Sequence, residues 1–244
     1  MAPPTIVLLH GFTQTGRSWS ETVAALGERY RALAPDLRGH GAAAARRPVG
    51  FAAIAADVLA LAPPAPQRFT LAGYSMGGRI ALDLALRDGG AAQARIERLV
   101  LIGASPGLAD AGERAARRAA DEALAEAIER DGIEPFARRW AAQPLFADQP
   151  PQVAAKAHVE RLRSTPAGLA ASLRGVGTGA MEPLWERLGE LRVPVALVVG
   201  ERDRKFRALA ERMAAAIPDA TVHVVAGAGH AVALERPDAL AALL

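Results

Sequence analysis

The chain contains no cysteine, which excludes disulfides, thiol catalysis and cysteine-ligated metals. Lysine is nearly missing as well: among 29 basic residues only Lys156 and Lys205 are lysines, and arginine supplies the rest. The resulting balance, a net charge of +3 and a pI near 9.9, does not gather into a patch. The arginines alternate with Asp and Glu and lack interleaved aromatics, so solvated helix faces are expected rather than a nucleic-acid partner. Apolar residues make up 51% of the chain, yet no uninterrupted run approaches the roughly 18 residues of a membrane span. The opening Met1-Ala-Pro-Pro-Thr-Ile-Val-Leu-Leu9 also lacks the basic, apolar and small-residue succession of a secretory signal. These absences together lead to the expectation of a cytoplasmic protein that engages no membrane; a monomer or weak homo-oligomer is expected, although nothing in the composition decides between them.

What the chain does contain is alternation. Thr5–Leu9, Tyr30–Ala34, Phe69–Ala72, Arg98–Ile102, Val195–Val199 and Thr221–Val225 are short apolar runs bounded by Gly, Pro or Asp, the pattern of strands buried on both faces. Helical patterns fall between them at about Trp19–Glu28, Phe51–Leu61, Met76–Arg87 and Lys205–Ala216. Repeated strand and helix imply an α/β protein: a mostly parallel sheet with helices on both faces, binding ligands beyond the strands' carboxyl ends. The alternation breaks from 108 to 188, where Glu113–Arg130, Ile133–Ala142 and Pro151–Leu173 read as helices without a strand. Residues 1–107 and 189–244 are therefore expected to form the core, and 108–188 a helical cap inserted in a single catalytic domain. Within it, Gly175-Val-Gly-Thr-Gly179 has no preceding strand and no following Gly-Lys-Ser/Thr, and reads as a cap-to-core connection rather than a phosphate loop.

Gly73-Tyr-Ser-Met-Gly77 joins a strand to a helix, the setting of a nucleophile elbow, in which glycines flanking a serine allow a strained, tightly packed turn. A base and an acid are then required. His230, in Gly227-Ala-Gly-His230 after the last strand, is the best base among five histidines; His223 alternates within a strand, His158 lies in the cap, and His40 in a loop. Asp203 ends the preceding strand segment and completes the order Ser75, Asp203, His230; Glu201 is its rival, and Asp36 breaks the order. His10-Gly-Phe12 follows the first strand, so the backbone N–H groups of Phe12 and Met76 are the candidate oxyanion donors. Arg79 lies one helical turn beyond Ser75, where a guanidinium suits a substrate carboxylate; a surface pair with Asp83 is the plainer alternative.

These motifs carry a family resemblance. His10-Gly-Phe-Thr-Gln-Thr-Gly-Arg-Ser-Trp19, Pro35-Asp-Leu-Arg-Gly-His-Gly41, Gly73-Tyr-Ser-Met-Gly-Gly-Arg-Ile-Ala-Leu82 and Gly200-Glu-Arg-Asp-Arg-Lys-Phe206 resemble the 2-succinyl-6-hydroxy-2,4-cyclohexadiene-1-carboxylate synthases of menaquinone biosynthesis, members of the α/β-hydrolase superfamily. Cap segments around Glu113–Asp121, Trp140–Phe146 and Gly168–Arg174 agree. The resemblance implies an α/β-hydrolase fold carrying a lyase that eliminates pyruvate from an enolpyruvyl cyclohexene tricarboxylate without metal or organic cofactor. Ser75 would act as a base through His230 and Asp203, and Phe12 and Met76 would stabilise an enolate. Three substrate carboxylates would be met by Arg79, by Arg118 in preference to Arg117, and by Arg161 in preference to Arg163. Tyr74 and Trp140 match pocket positions. The alternative is an ester, thioester or carbon–carbon bond hydrolase with Ser75 as nucleophile.

Overall fold

The computed structural model describes residues 2–244. Its strands are β1 (Thr5–Leu9), β2 (Arg31–Leu33), β3 (Phe69–Tyr74), β4 (Ile96–Ile102), β5 (Val195–Gly200) and β6 (Ala220–Val225). All pairs are parallel, in the order β2-β1-β3-β4-β5-β6. The apolar runs become strands because each must bury two faces. Val7, Leu9, Leu71, Leu99 and Leu197 enter one core, and Ile6, Leu8, Ala72, Val100 and Val198 the other. The two edge strands, β2 and β6, are accordingly the least buried.

Helices α1 (Ser20–Leu26), α2 (Phe51–Leu61), α3 (Met76–Leu86), α4 (Ala111–Asp131), α5 (Ile133–Ala141), α6 (Pro151–Arg161), α7 (Pro166–Val176), α8 (Arg204–Ala214), α9 (Val232–Glu235) and α10 (Pro237–Leu243) complete the order. α2, α3 and α8 contribute to the first core, α1, α9 and α10 to the second. α3 is buried nearly all round, with Ile80, Ala81, Leu82, Ala85 and Leu86 at 0% exposure; each large apolar side chain so placed contributes about 1.5–3 kcal/mol. That burial anchors the helix which begins one residue after Ser75. α1 ends earlier than its sequence pattern predicts, because Gly27 turns the chain at φ 57. α10 was not anticipated; its Leu240 and Ala241 close the second core.

Between β4 and β5 lie α4 to α7 and no strand. α6 sends Val153 and Ala157 into the second core, while α4, α5 and α7 share a small core of their own, Ala125 and Ile128 from α4, Phe136 from α5, and Leu169, Ala170 and Leu173 from α7. Phe12 and Trp140 pack against it, tying these helices to the carboxyl end of β1. Among the described residues no helix is long and apolar enough to cross a membrane.

Candidate active site

β3 delivers Ser75 and α3 begins at Met76, so the serine occupies the turn itself, at φ 51 and ψ −107. A non-glycine residue there is strained, and the surroundings enforce it. Ser75 N–H donates to Ile102 O at 2.8 Å, and Ser75 O accepts the Arg79 N–H at 3.0 Å. The two glycines are required by proximity: a Cβ on Gly73 would sit 2.3 Å from Gly77 O, and one on Gly77 2.2 Å from Leu9 O.

The elbow aims the hydroxyl at His230. Ser75 Oγ lies 3.2 Å from Nε2, and Nδ1 lies 2.6 Å from Asp203 Oδ2. With Asp203 ionised, Nδ1–H donates to it and Nε2 accepts the serine proton, the relay a base needs. Asp203 (6% exposed) caps α8 by accepting Phe206 N–H at 3.3 Å, which fixes its second oxygen. His230 (3% exposed) is packed by Phe206 and Tyr74, ring centroids 4.5 and 5.3 Å away. The rival residues have other tasks. Glu201 accepts Gly227 N–H, and Asp36 accepts Gly16 and Ala42 N–H, each tying a loop.

Met76 N–H, at the first position of α3, has no intrahelical acceptor, and no hydrogen bond among the described residues uses Phe12 N–H. His10 shapes the turn that carries Phe12: its Nδ1–H donates to Gly11 O at 2.9 Å and its Nε2 accepts Leu37 N–H at 3.0 Å. Burial lowers its pKa to about 4 against small opposing effects of Gly11 and Asp36, so it is a neutral strut. His40, whose pKa burial also lowers well below 6.5, stacks edge-on to it at 5.0 Å.

The cavity above these groups has a volume of about 520 Å³ and is walled both by loops at the carboxyl end of the sheet and by the segment 108–188. Arg79 lines it. Its Nη1 donates to Thr178 Oγ1 at 2.8 Å and its Nη2 to Val176 O at 2.9 Å, while Nε has no hydrogen-bond partner among the described residues. Its pKa falls to about 10, chiefly through burial and then through Arg117, yet it remains a cation at neutral pH. Asp83, the plainer partner, pairs with Arg87 instead. Arg79 is thus a desolvated charge held by neutral oxygens beside the serine.

Several sequence expectations shift. Arg118 does not line this cavity: its Nε donates to Gly179 O, and Arg117 lines the wall, paired through Nε with Asp121 at 2.8 Å. One residue on a helix is a rotation of about 100°, which turns Arg118 away. Arg161 is 3% exposed but lies outside the cavity lining, its guanidinium 5.4 Å from the Phe146 ring and without an ion pair among the described residues; burial lowers its pKa. Arg163 pairs with Glu160. Tyr74 also sits behind the wall, its ring against Gly11 and His230, and burial followed by the Asp203 and Glu235 charges raises its pKa, keeping the phenol neutral. Trp140 lines the cavity and stacks edge-on to Phe12 at 5.1 Å. Gly175–Gly179 is more than a connection. Gly179 lies against α4, where a Cβ would meet Arg118 N at 2.4 Å, and this close packing presents Thr178 to Arg79. Thr178, Arg202, Lys205, Phe206 and Glu235 also line the site without having been singled out; only their nearness to the Gly-rich segment, Asp203 or His230 hinted at them.

The sequence pattern of the Alpha/beta hydrolase family matches residues 6–243. A 2-succinyl-6-hydroxy-2,4-cyclohexadiene-1-carboxylate synthase of Salmonella schwarzengrund is 35% identical over 253 residues, covering 99% of this chain and 94% of that protein. Among solved structures, S. aureus MenH superposes with a TM-score of 0.90 at 31% identity, over 98% of this chain and 91% of that one. An enol-lactonase from Burkholderia xenovorans gives 0.80 at 25% identity, over 99% and 89%.

Proposed function

The chain belongs to the Alpha/beta hydrolase family and, within it, to the 2-succinyl-6-hydroxy-2,4-cyclohexadiene-1-carboxylate synthases, and on that premise we propose that it eliminates pyruvate from 2-succinyl-5-enolpyruvyl-6-hydroxy-3-cyclohexene-1-carboxylate in menaquinone biosynthesis, with Ser75 as base. The observation that carries this reading is Arg79. A neutral ester gains little from a buried guanidinium, bonded only to neutral oxygens, one helical turn from the serine, whereas a carboxylate there gains charge-assisted hydrogen bonds.

The bond changes follow from substrate and product. The substrate has its ring double bond at C3, the succinyl group on C2 and the enolpyruvyl oxygen on C5; the product is a 2,4-diene. The proton therefore leaves C2, next to the ketone. His230 accepts the Ser75 proton while Asp203 stabilises the imidazolium, and the serine oxygen takes the C2 proton. Charge moves to the ketone oxygen, where the Phe12 and Met76 N–H groups stabilise the enolate. Collapse forms the C2–C3 double bond, shifts the ring double bond to C4–C5 and breaks C5–O. The departing enolpyruvate gains a proton and becomes pyruvate, and no acyl-serine forms.

The helices of 108–188 serve as the cap, supplying Arg117, Trp140 and Thr178 to a polycarboxylate. The reading includes no metal or organic cofactor and places the enzyme in the cytoplasm. Coupling pyruvate release to NADH oxidation by lactate dehydrogenase tests it. Turnover is expected from the unaltered protein, and Arg79→Ala should lower kcat/KM about 10- to 150-fold, the loss of a charged hydrogen-bonded pair of about 1.5–3 kcal/mol. No pyruvate from the authentic substrate would sink the assignment.

A further inference from the structure

The relay depends on two loops keeping their distance, one after β5 bearing Asp203 and one after β6 bearing His230. Between them lies Glu235, the last residue of α9, whose side chain is only 1% exposed. Its Oε2 accepts Gly229 N–H at 2.7 Å and its Oε1 accepts Ala231 N–H at 3.2 Å. Those residues flank His230 on either side. The same Oε2 takes Arg202 Nη2 at 2.8 Å, and Arg202 immediately precedes Asp203. One carboxylate thus touches both loops, and it also lines the catalytic cavity.

We propose that Glu235 is a positioning residue for the reaction, fixing the distance between His230 and Ser75 by gripping the peptide groups around the histidine and, through Arg202, by joining that loop to the acid's. Hydrogen bonds to an ionised acceptor are the strong ones, and a four-residue helix has little rigidity of its own. The Arg202 cation balances the charge, so a second carboxylate can be buried in the same wall as Asp203 without standing unpaired. Glutamine cannot replace it. An amide has one acceptor oxygen, and its NH2 would face a backbone N–H, donor against donor.

The test uses Glu235→Gln, Glu235→Ala and Arg202→Ala, with two readouts. Pyruvate release depends on the function proposed above. Phosphonylation by an alkyl fluorophosphonate does not: Ser75 Oγ bonds to phosphorus, fluoride leaves and His230 takes the proton. Glu235→Gln should lower kcat and the phosphonylation rate at least tenfold while KM stays within twofold. In Glu235→Ala, added formate should restore part of both rates by refilling the carboxylate position, which a purely structural loss would not permit. Arg202→Ala keeps both amide bonds and should lose less. Should Glu235→Ala fail to fold, the isosteric glutamine variant, checked by thermal melting, carries the test. A folded Glu235→Gln with phosphonylation and turnover within twofold of the unaltered protein overturns the inference. If the unaltered protein releases no pyruvate, the function proposal fails alone and phosphonylation still decides Glu235.

Discussion

The buried histidine under the Phe12 turn makes a quantitative demand on stability. His10 is fully buried, donates to Gly11 O, accepts from Leu37 N–H, and has its pKa lowered from 6.5 to about 4 by burial. In the unfolded chain it protonates near 6.5, so below that pH the unfolded state holds more protons than the folded state. Stability must then fall with pH, with the His10 contribution complete above 6.5 and lost progressively toward about 4. For these two values linkage predicts a loss of about 2 kcal/mol by about pH 5 and about 3 kcal/mol by about pH 4. His40 is driven the same way by burial and then by the charge His10 would acquire, which steepens the decline. Urea unfolding at several pH values between about 7.5 and about 4.5 measures it. His10→Gln is the control, because its amide can donate and accept without titrating. That variant should start less stable and lose less as pH falls. A stability unchanged across the window, or an equal slope in His10→Gln, would refute the reasoning.

Three further outcomes are expected. Arg117→Ala should raise KM in the pyruvate assay about tenfold, while Arg118→Ala, facing Gly179 O instead of the cavity, should stay within about twofold. Gly77→Ala forces a Cβ against Leu9 O and should destabilise by about 3 kcal/mol, seen as a large drop in Tm with loss of turnover. Finally, intact-protein mass spectrometry during turnover should show no mass added to Ser75, whereas an accumulating acyl-enzyme would favour the hydrolase alternative.

The fold was legible for a physical reason. Strands buried on both faces cannot hide polar residues, so β5 and the stretches 6–9 of β1 and 99–102 of β4 stand out as unbroken apolar runs, and the turn glycines mark where backbone meets backbone at Gly73 and Gly77. Chain order then sorted Asp203 from Asp36. The cap offered no such contrast. In an Ala- and Arg-rich helix such as α4, apolar and polar faces differ weakly, so Arg117 and Arg118 are equivalent on paper although they point about 100° apart. C-terminal helix α10 does not show in the sequence pattern because its seven residues, Pro-Asp-Ala-Leu-Ala-Ala-Leu, span too few turns to establish a period.

The deepest loss concerns partnerships across the chain. Arg79 is readable as a cation near a serine, but its meaning depends on whether an acid neutralises it, and the candidate acid, Asp83, was the neighbour in sequence. The structure gives Asp83 to Arg87 and hands Arg79 to Thr178 and Val176, nearly a hundred residues away and both uncharged. Such a choice costs folding free energy, because a guanidinium leaves water with no ion pair among the described residues and only the more distant Asp121 charge, itself paired with Arg117, to offset it. A chain under selection for stability alone would have placed a carboxylate there. The loop of 175–179 is instead packed by glycine against α4 and offers a hydroxyl and a carbonyl; on the function proposed above the pairing anion comes from the substrate, so that the helices of 108–188 would set the substrate's charge while the core sets the chemistry.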